Sequence, residues 1–295
     1  MSNREMGTSA WVKLLPARVR RMGRSAVGTV GKVRAAWHKA RWRRRAFAAR
    51  PGAVFRCLGY TVRINDGPNF FVLYHDVVLR EVYRFTACRP NPVILDCGSN
   101  IGMSILYFKH LYPQARIIAF EPDPGIVGYL HENMKTNGQT DVRVVQAAIG
   151  GQAGTLTFYS DGKYGSCLAH LSSELIPEGW TKHEVPCVRL SDYLNEPVDF
   201  LKMNIEGAEW EALADCGERL RQIREMAIEY HHLPGVPRTL HRILSLLDEL
   251  GFDYTVSDFD LATYSGARPP ITLNEKTTYF RQIYARRRED GGPSL

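Results

Sequence analysis

Residues 93–102, VILDCGSNIG, constrain this chain more than any other segment. An apolar run of strand type ends in Asp96, a tight turn carrying Gly98 and Gly102 follows, and SILYFKHLY then has the apolar character of a helix. Nineteen residues after Gly102 a second apolar run, RIIAF, ends in Glu121. Strand, glycine turn, helix and strand make a parallel βαβ unit, and open α/β sheets bind ligands outside the carboxyl ends of their strands. A carboxylate at each of two such ends suits an adenosyl group, with Glu121 placed to accept both ribose hydroxyls.

The glycine spacing separates two cofactors. A nicotinamide dinucleotide needs G-x-G-x-x-G so that backbone can approach a pyrophosphate. Here three residues, with Asn100 in the middle, stand between Gly98 and Gly102. The Asp96 carboxylate would also repel a pyrophosphate. S-adenosyl-L-methionine has no phosphate and carries a sulfonium and an ammonium, which acids around the turn favour. The expected cofactor residues are Asp96, Gly98, Asn100, Gly102 and Glu121, with Pro122 and Ala148 just beyond the second and third strands. The plainer reading is a structural turn that binds nothing; a single D-x-G would fit it, and the paired Glu121 does not.

Beyond this unit, apolar strand patterns recur near 142–146, 199–204, 225–230 and 252–257, alternating with helical patterns near 124–137, 208–220 and 237–250. That alternation predicts an α/β fold with a doubly wound, mostly parallel sheet. Residues 154–160 and 184–190 break the rhythm and read as an extra strand pair flanking a loop. The closing segment TTYFRQIYARR reads as a strand pairing antiparallel at the sheet edge. Residues 70–85 read as a strand or helix entry packed on the main domain. The expected layout is a basic arm (1–50), an N-terminal cap (51–91), the main domain (92–286) and a polar tail (287–295).

Charge sets the arm apart. Residues 1–50 hold fourteen Lys/Arg and one acid, Glu5, a net of +13, whereas the remainder carries −6. Val30, Val33, Trp37 and Ala40 recur at helical spacing among the basic residues, with Trp42 and Phe47 beyond. Such a segment suits an anionic membrane surface or nucleic acid, or is a solvated tail. No apolar run approaches the roughly 20 residues of a membrane-spanning helix. The six cysteines form no C-x-x-C pair and the nine histidines no metal spacing, so a cytoplasmic protein with reduced thiols and no metal is expected. Oligomeric state is not legible.

A second constellation lies at 199–210, DFLKMNIEGAEW. DFLKMN has a buried-strand pattern, which puts Asn204 and Glu206 at its carboxyl end, beside the glycine turn. Glu206 also suits a helix start, where an acid meets the macrodipole. The next strand, EMAIEYHH, ends in Glu229 and His231. A histidine at a strand end in a cleft is a candidate general base, although a lone histidine is more often structural.

Together VILDCGSNIGMSILYF, IIAFEPDP, DFLKMNIEGAEWEAL and IEYHH resemble the FkbM family of S-adenosylmethionine-dependent methyltransferases. The resemblance spans roughly 92–232. It implies a Rossmann-like class I methyltransferase fold and O-methylation of hydroxyls on sugars, glycolipids or natural products. By position, it implies that Asp96, Gly98, Asn100 and Gly102 line the methionine side and that Glu121 holds the ribose. Glu206 and Gly207 match the second motif. One departure stands out: the family usually has Asp where this chain has Asn204. A neutral amide is no base, so the expected base becomes His231 or Glu206, with Asn204 and Glu229 beside them. The alternatives are a nucleic-acid methyltransferase gripping phosphate with the arm, or a non-catalytic membrane-associated scaffold. Against the first, no N/D-P-P-Y/F motif is present.

Overall fold

In a computed structural model, residues 39–162, 166–168, 178–233, 236–258 and 279–288 are described. The chain divides into two compact units, Met1–Ala49 and Arg50–Leu295. In the first, residues 39–47 form helix α1, with the Arg43 guanidinium 5.2 Å from the centre of the Phe47 ring. The rest of the basic arm lies outside the described residues.

The second unit opens with a hairpin, β1 (Val54–Cys57) and β2 (Tyr60–Arg63). Residues 70–85 then prove largely helical. Asp66 caps α2 (Gly67–Leu73) by accepting from Asn69 N, and the helix runs into a π-helical turn, Tyr74–Leu79. The proline at its start is compatible because that position needs no N–H donor.

Among the described residues the main sheet has seven strands, in the order β12 (Phe252–Asp258), β13 (Tyr279–Arg287), β11, β10, β3, β4 and β5. Five run parallel to one another: β3 (Val93–Cys97), β4 (Arg116–Phe120), β5 (Val142–Val145), β10 (Val198–Met203) and β11 (Ile223–His232). Helices α3 (Met103–Leu111), α4 (Pro124–Thr136), α5 (Glu209–Cys216) and α6 (Leu240–Glu249) join or flank them. Every residue of β3 and β10 is buried, as expected of parallel strands covered on both faces. Leu95, Cys97, Phe120, Leu201, Met203, Leu213, Ile228 and Leu247 form one core.

The closing strand departs from expectation. β13 (Tyr279–Arg287) is antiparallel, but it sits between β11 and β12 (Phe252–Asp258), and β12 takes the edge. Ile283 and Ala285 of β13 are buried, while Tyr254 and Val256 of β12 are exposed, which suits an edge position. Arg287 ends β13 and Arg288 is paired with Asp248 and Asp253, while residues 289–295 lie outside the described ones.

The interruption after β5 becomes a second sheet, ordered β6-β9-β7-β8, from β6 (Ala148–Gly150), β7 (Gly154–Ser160), β8 (Ser166–Leu168) and β9 (Thr181–Arg189). β7 and β9 pair antiparallel, as the sequence suggests. The segment before β3 is pinned to the main sheet's helices. Arg63 N donates to Asn133 Oδ1 at 2.7 Å, and Asn133 Nδ2 donates to Ile101 O at 2.9 Å.

Candidate active site

Chain order reverses between β3 and β10. From β3 the sheet grows through β4 to β5 on one side, and from β10 to β11 on the other. At such a switch point the loops leaving the strands part and open a crevice. The cleft here encloses about 990 Å³, part of it open to solvent. Its walls are Gly98, Ser99 and Asn100 after β3, Glu121–Asp123 after β4, Ala147–Ile149 at β6, and Asn204–Glu206 after β10, with Asn69, Leu73, Val77 and Tyr83 from the N-terminal segment.

The glycine turn is built by close approach. Gly98 has φ 81°, and a Cβ there would lie 1.9 Å from the carbonyl oxygen of Asn204. Only glycine fits, and its absence of a side chain lets the ends of β3 and β10 meet. Gly102, at φ 90°, would put a Cβ 2.8 Å from Leu130 and Met134 of α4. It serves packing and does not line the cleft.

Asp96 also lies behind the cleft. It is fully buried, accepts from Ser104 Oγ at 2.5 Å, and stands 3.3 Å from Lys202 Nζ. The register pairs Lys202 with Asp96 directly across the sheet. Lys202 also donates to the carbonyls of Cys97 and Gly98. An ammonium and a carboxylate thus hold the turn in shape, since a buried charge needs its partner close.

Glu121 does reach the cleft. One oxygen accepts from Asn100 N at 2.8 Å and the other from Asp123 N at 3.0 Å. Burial raises its carboxyl to about 7, although those two N–H groups pull the other way. Asp123 beside it caps α4 and accepts from Ser160 Oγ.

The β10–β11 side is more heavily charged. Glu229 is buried, accepting from Tyr83 Oη and, at 2.7 Å, from Asn204 Nδ2. Burial raises the Glu229 carboxyl, and burial with Glu229 beside it raises the Tyr83 phenol well above its ordinary value. Glu206 lies on the cleft wall with a left-handed backbone, φ 56°. Its Oε2 is 3.8 Å from His231 Nε2, and His231 Nδ1 is 2.8 Å from Glu209 Oε1. Burial alone would lower the imidazole, but Glu206, Glu209 and Glu229 outweigh it and raise it to about 10. Burial raises Glu206 to about 7, against the pull of the His231 cation.

A profile of the methyltransferase FkbM domain matches residues 96–254. This chain belongs to the FkbM methyltransferase family. It is a methyltransferase, and its sheet is the Rossmann-like class I arrangement. Methyltransferase sdnD of Sordaria araneosa is 30% identical over 215 residues, 62% of this chain and 82% of that protein. The 31-O-demethyl-FK506 methyltransferase FkbM of Streptomyces tacrolimicus is 28% identical over 228 residues, 66% and 86% of the two chains. The 2-O-methyltransferase NoeI of Sinorhizobium fredii is 30% identical over 159 residues, 48% and 64%.

Of the residues singled out from sequence, Gly98, Asn100, Glu121, Pro122, Ala148, Asn204 and Glu206 line the cleft. Asp96, Gly102, Glu229 and His231 stand behind its wall. Among the polar groups that set the site's charge, Tyr83, Ser104, Lys202 and Glu209 went unread. Lys202 had a signal, a lysine among the apolar residues of a fully buried strand. Glu209 had a weaker one, an acid opening α5. Tyr83 had none, because it meets Glu229 across 146 residues of chain. Residues 163–165 and 169–177, in the loop flanked by the extra strand pair, lie outside the described residues. No helix among the described residues is long and apolar enough to cross a membrane.

Proposed function

We propose that the enzyme uses S-adenosyl-L-methionine to methylate a hydroxyl of a sugar, glycolipid or natural product. The observation that carries this is Glu121: a buried carboxylate on the cleft wall at the end of β4, next to the glycine turn at the switch point. Its two oxygens hold backbone N–H groups on one side and keep lone pairs for the ribose hydroxyls. The backbone of Gly98–Asn100 would hold the amino-acid portion, and the apolar wall of Ile126, Ala148 and Ile149 would hold the base. When bound, the cofactor supplies a methyl group on a sulfonium, activated for in-line attack. The chain's own part is to align the acceptor oxygen, exclude water and take up the hydroxyl proton. Two relatives are named as O-methylating enzymes, which supports a hydroxyl acceptor.

Calorimetry with S-adenosyl-L-methionine tests the cofactor. Binding by the wild type and a large loss in Glu121→Ala are expected, and unchanged affinity in the variant defeats the assignment. Transfer of a labelled methyl group to fractionated extract of the source cells, followed by identification of the product, tests the acceptor class. A labelled nucleic acid would favour the alternative reading.

A further inference from the structure

Three ionisable side chains from β10's end, α5 and β11 form one line, with its open end at the cleft. Glu209 is 1% exposed, His231 is buried, and Glu206 keeps 28% of its side-chain surface open. Glu209 Oε1 is 2.8 Å from His231 Nδ1, and it also accepts from Gly207 N at 3.1 Å, which ties it to the loop that carries Glu206. Phe280 of β13 packs edge-on against the imidazole at 4.9 Å. The ring is therefore fixed in its plane, with Nε2 towards Glu206. Glu206 itself holds a left-handed backbone that costs a non-glycine residue energy. Such strain persists where surrounding contacts enforce it, and here it carries the carboxylate onto the cleft wall.

We infer that Glu206 accepts the proton of the acceptor hydroxyl, and that His231 is a fixed cation, oriented by Glu209, which positions and steadies that carboxylate. This rests on the methyl-transfer reading. As the acceptor's oxygen bonds to the methyl carbon, the methyl's bond to the sulfonium sulfur breaks and its electron pair stays on the sulfur of the departing S-adenosylhomocysteine, while the acceptor's O–H bond breaks and the proton passes to Glu206. From there it leaves to water through the open face of the cleft, which restores the carboxylate. His231 is barred from the base's role by its place, since two carboxylates hold it and it does not reach the cleft wall. Glu206 is a catalytic residue in this scheme, whereas His231 and Glu209 are positioning residues.

The charges facing Glu206 are His231 and Glu229 from β11, Glu209 from α5 and Lys202 from β10. Those facing His231 are Glu206, Glu209 and Glu229. The two cations favour an ionised Glu206, while burial and the two other acids oppose it. Removing His231 must therefore make Glu206 a weaker acid.

The test uses the full chain carrying nitrogen-labelled histidine and carboxyl-labelled glutamate. By NMR, His231 is expected to keep both ring protons from pH 6 to 8.5, with Glu206, identified by the signal lost in Glu206→Gln, titrating near neutrality. His231→Gln should move that midpoint up by about one pH unit, the effect of losing a neighbouring opposite charge. A neutral His231 at pH 7, or a Glu206 midpoint unmoved in His231→Gln, overturns the inference. With the acceptor fixed by the labelled-methyl assay, Glu206→Gln should cut turnover by about 100-fold or more while leaving S-adenosylhomocysteine affinity unchanged. His231→Gln should displace the acidic limb of the rate profile upward in step with the NMR midpoint. Near wild-type turnover in Glu206→Gln overturns the role of base. Absence of S-adenosyl-L-methionine binding by the wild type defeats the cofactor reading instead, and calorimetry shows that apart from any titration.

Discussion

Glu121 and Glu206 end neighbouring halves of the same sheet, and burial brings both to about 7. Their surroundings are otherwise opposite. Glu121 rests on two backbone N–H groups, one of them from the left-handed Asn100 at φ 50°, while its own φ is negative, so its geometry is set by the main chain. Glu206 sits on a strained backbone and faces a side-chain cation at 3.8 Å. A carboxylate fixed by main-chain donors suits a constant ligand, the ribose. One held by a titratable neighbour, with an open face, suits a group whose charge changes in each cycle. On the proposed reading, the same acidity serves a holder in one place and a proton acceptor in the other.

The sharpest break of this comparison is a crossed pair of variants. Glu206→Gln should lose turnover by roughly 10²–10⁴-fold with little change in cofactor affinity, the span for a general base. Glu121→Ala should do the reverse, losing on the order of 2–4 kcal/mol of S-adenosyl-L-methionine affinity through a missing charge-assisted acceptor. If calorimetry and turnover show both variants failing in the same way, the two carboxylates are not divided by role.

The turn between them offers a test of stability. Gly98→Ala places a methyl group 1.9 Å from the Asn204 carbonyl and asks alanine to adopt φ 81°. Left-handed strain and overpacking together cost on the order of 2–5 kcal/mol, read as a lower midpoint in urea denaturation. A neutral outcome would mean that β3 and β10 part easily at their ends, and that the cleft is softer than its packing indicates.

How much of this was legible follows from the kind of contact involved. The β3 turn and Glu121 are neighbours in sequence as well as space, so strand pattern and glycine spacing located them. Their division of labour was not legible: Asp96 reads as a ligand until Lys202 is seen opposite it, a pairing set by register between strands over a hundred residues apart. His231 reads as a base for the same reason, because nothing in IEYHH reveals Glu209 on Nδ1. The order of β12 and β13 was hidden too, since alternation marks a strand without naming its neighbours.

The pH dependence of cofactor binding sharpens the comparison at smaller scale. Glu121 has its pKa raised to about 7, so its protonated form is favoured below that value and its carboxylate above it. Ribose hydroxyls and a cationic cofactor prefer the carboxylate. Affinity for S-adenosyl-L-methionine should therefore rise by about 10-fold from pH 6 to pH 8, as expected when only the ionised form binds. Glu121→Gln should flatten that profile, whereas His231→Gln should leave its midpoint in place. A flat wild-type profile would show that Glu121 is ionised throughout, or that its charge is unimportant to binding.

The smallest effect expected at the cleft comes from the most highly charged segment. Residues 1–50 carry a net +13 against a body at −6, and Met1–Ala49 form their own compact unit. In α1, Lys39, Arg41, Arg43, Arg44 and Arg45 are exposed, as is Phe47. Each basic residue near an anionic bilayer contributes about 1 kcal/mol, and Trp and Tyr-like rings favour the interface. If the acceptor is lipid-linked, a few engaged residues would hold the enzyme beside it. Full-length protein should co-sediment with phosphatidylserine-containing vesicles at low salt and release as salt screens the attraction. Deleting residues 1–50 should abolish this while leaving calorimetric cofactor binding and the titrations of Glu121 and Glu206 unchanged, because every residue of the cleft wall lies beyond residue 68. Equal partitioning of the two forms would make the arm a solvated tail. Retention on nucleic acid in preference to vesicles would instead turn it towards phosphate. A shift in either carboxylate's titration on deletion would show that the arm reaches the cleft, and the contrast between Glu121 and Glu206 would no longer be a property of the folded body alone.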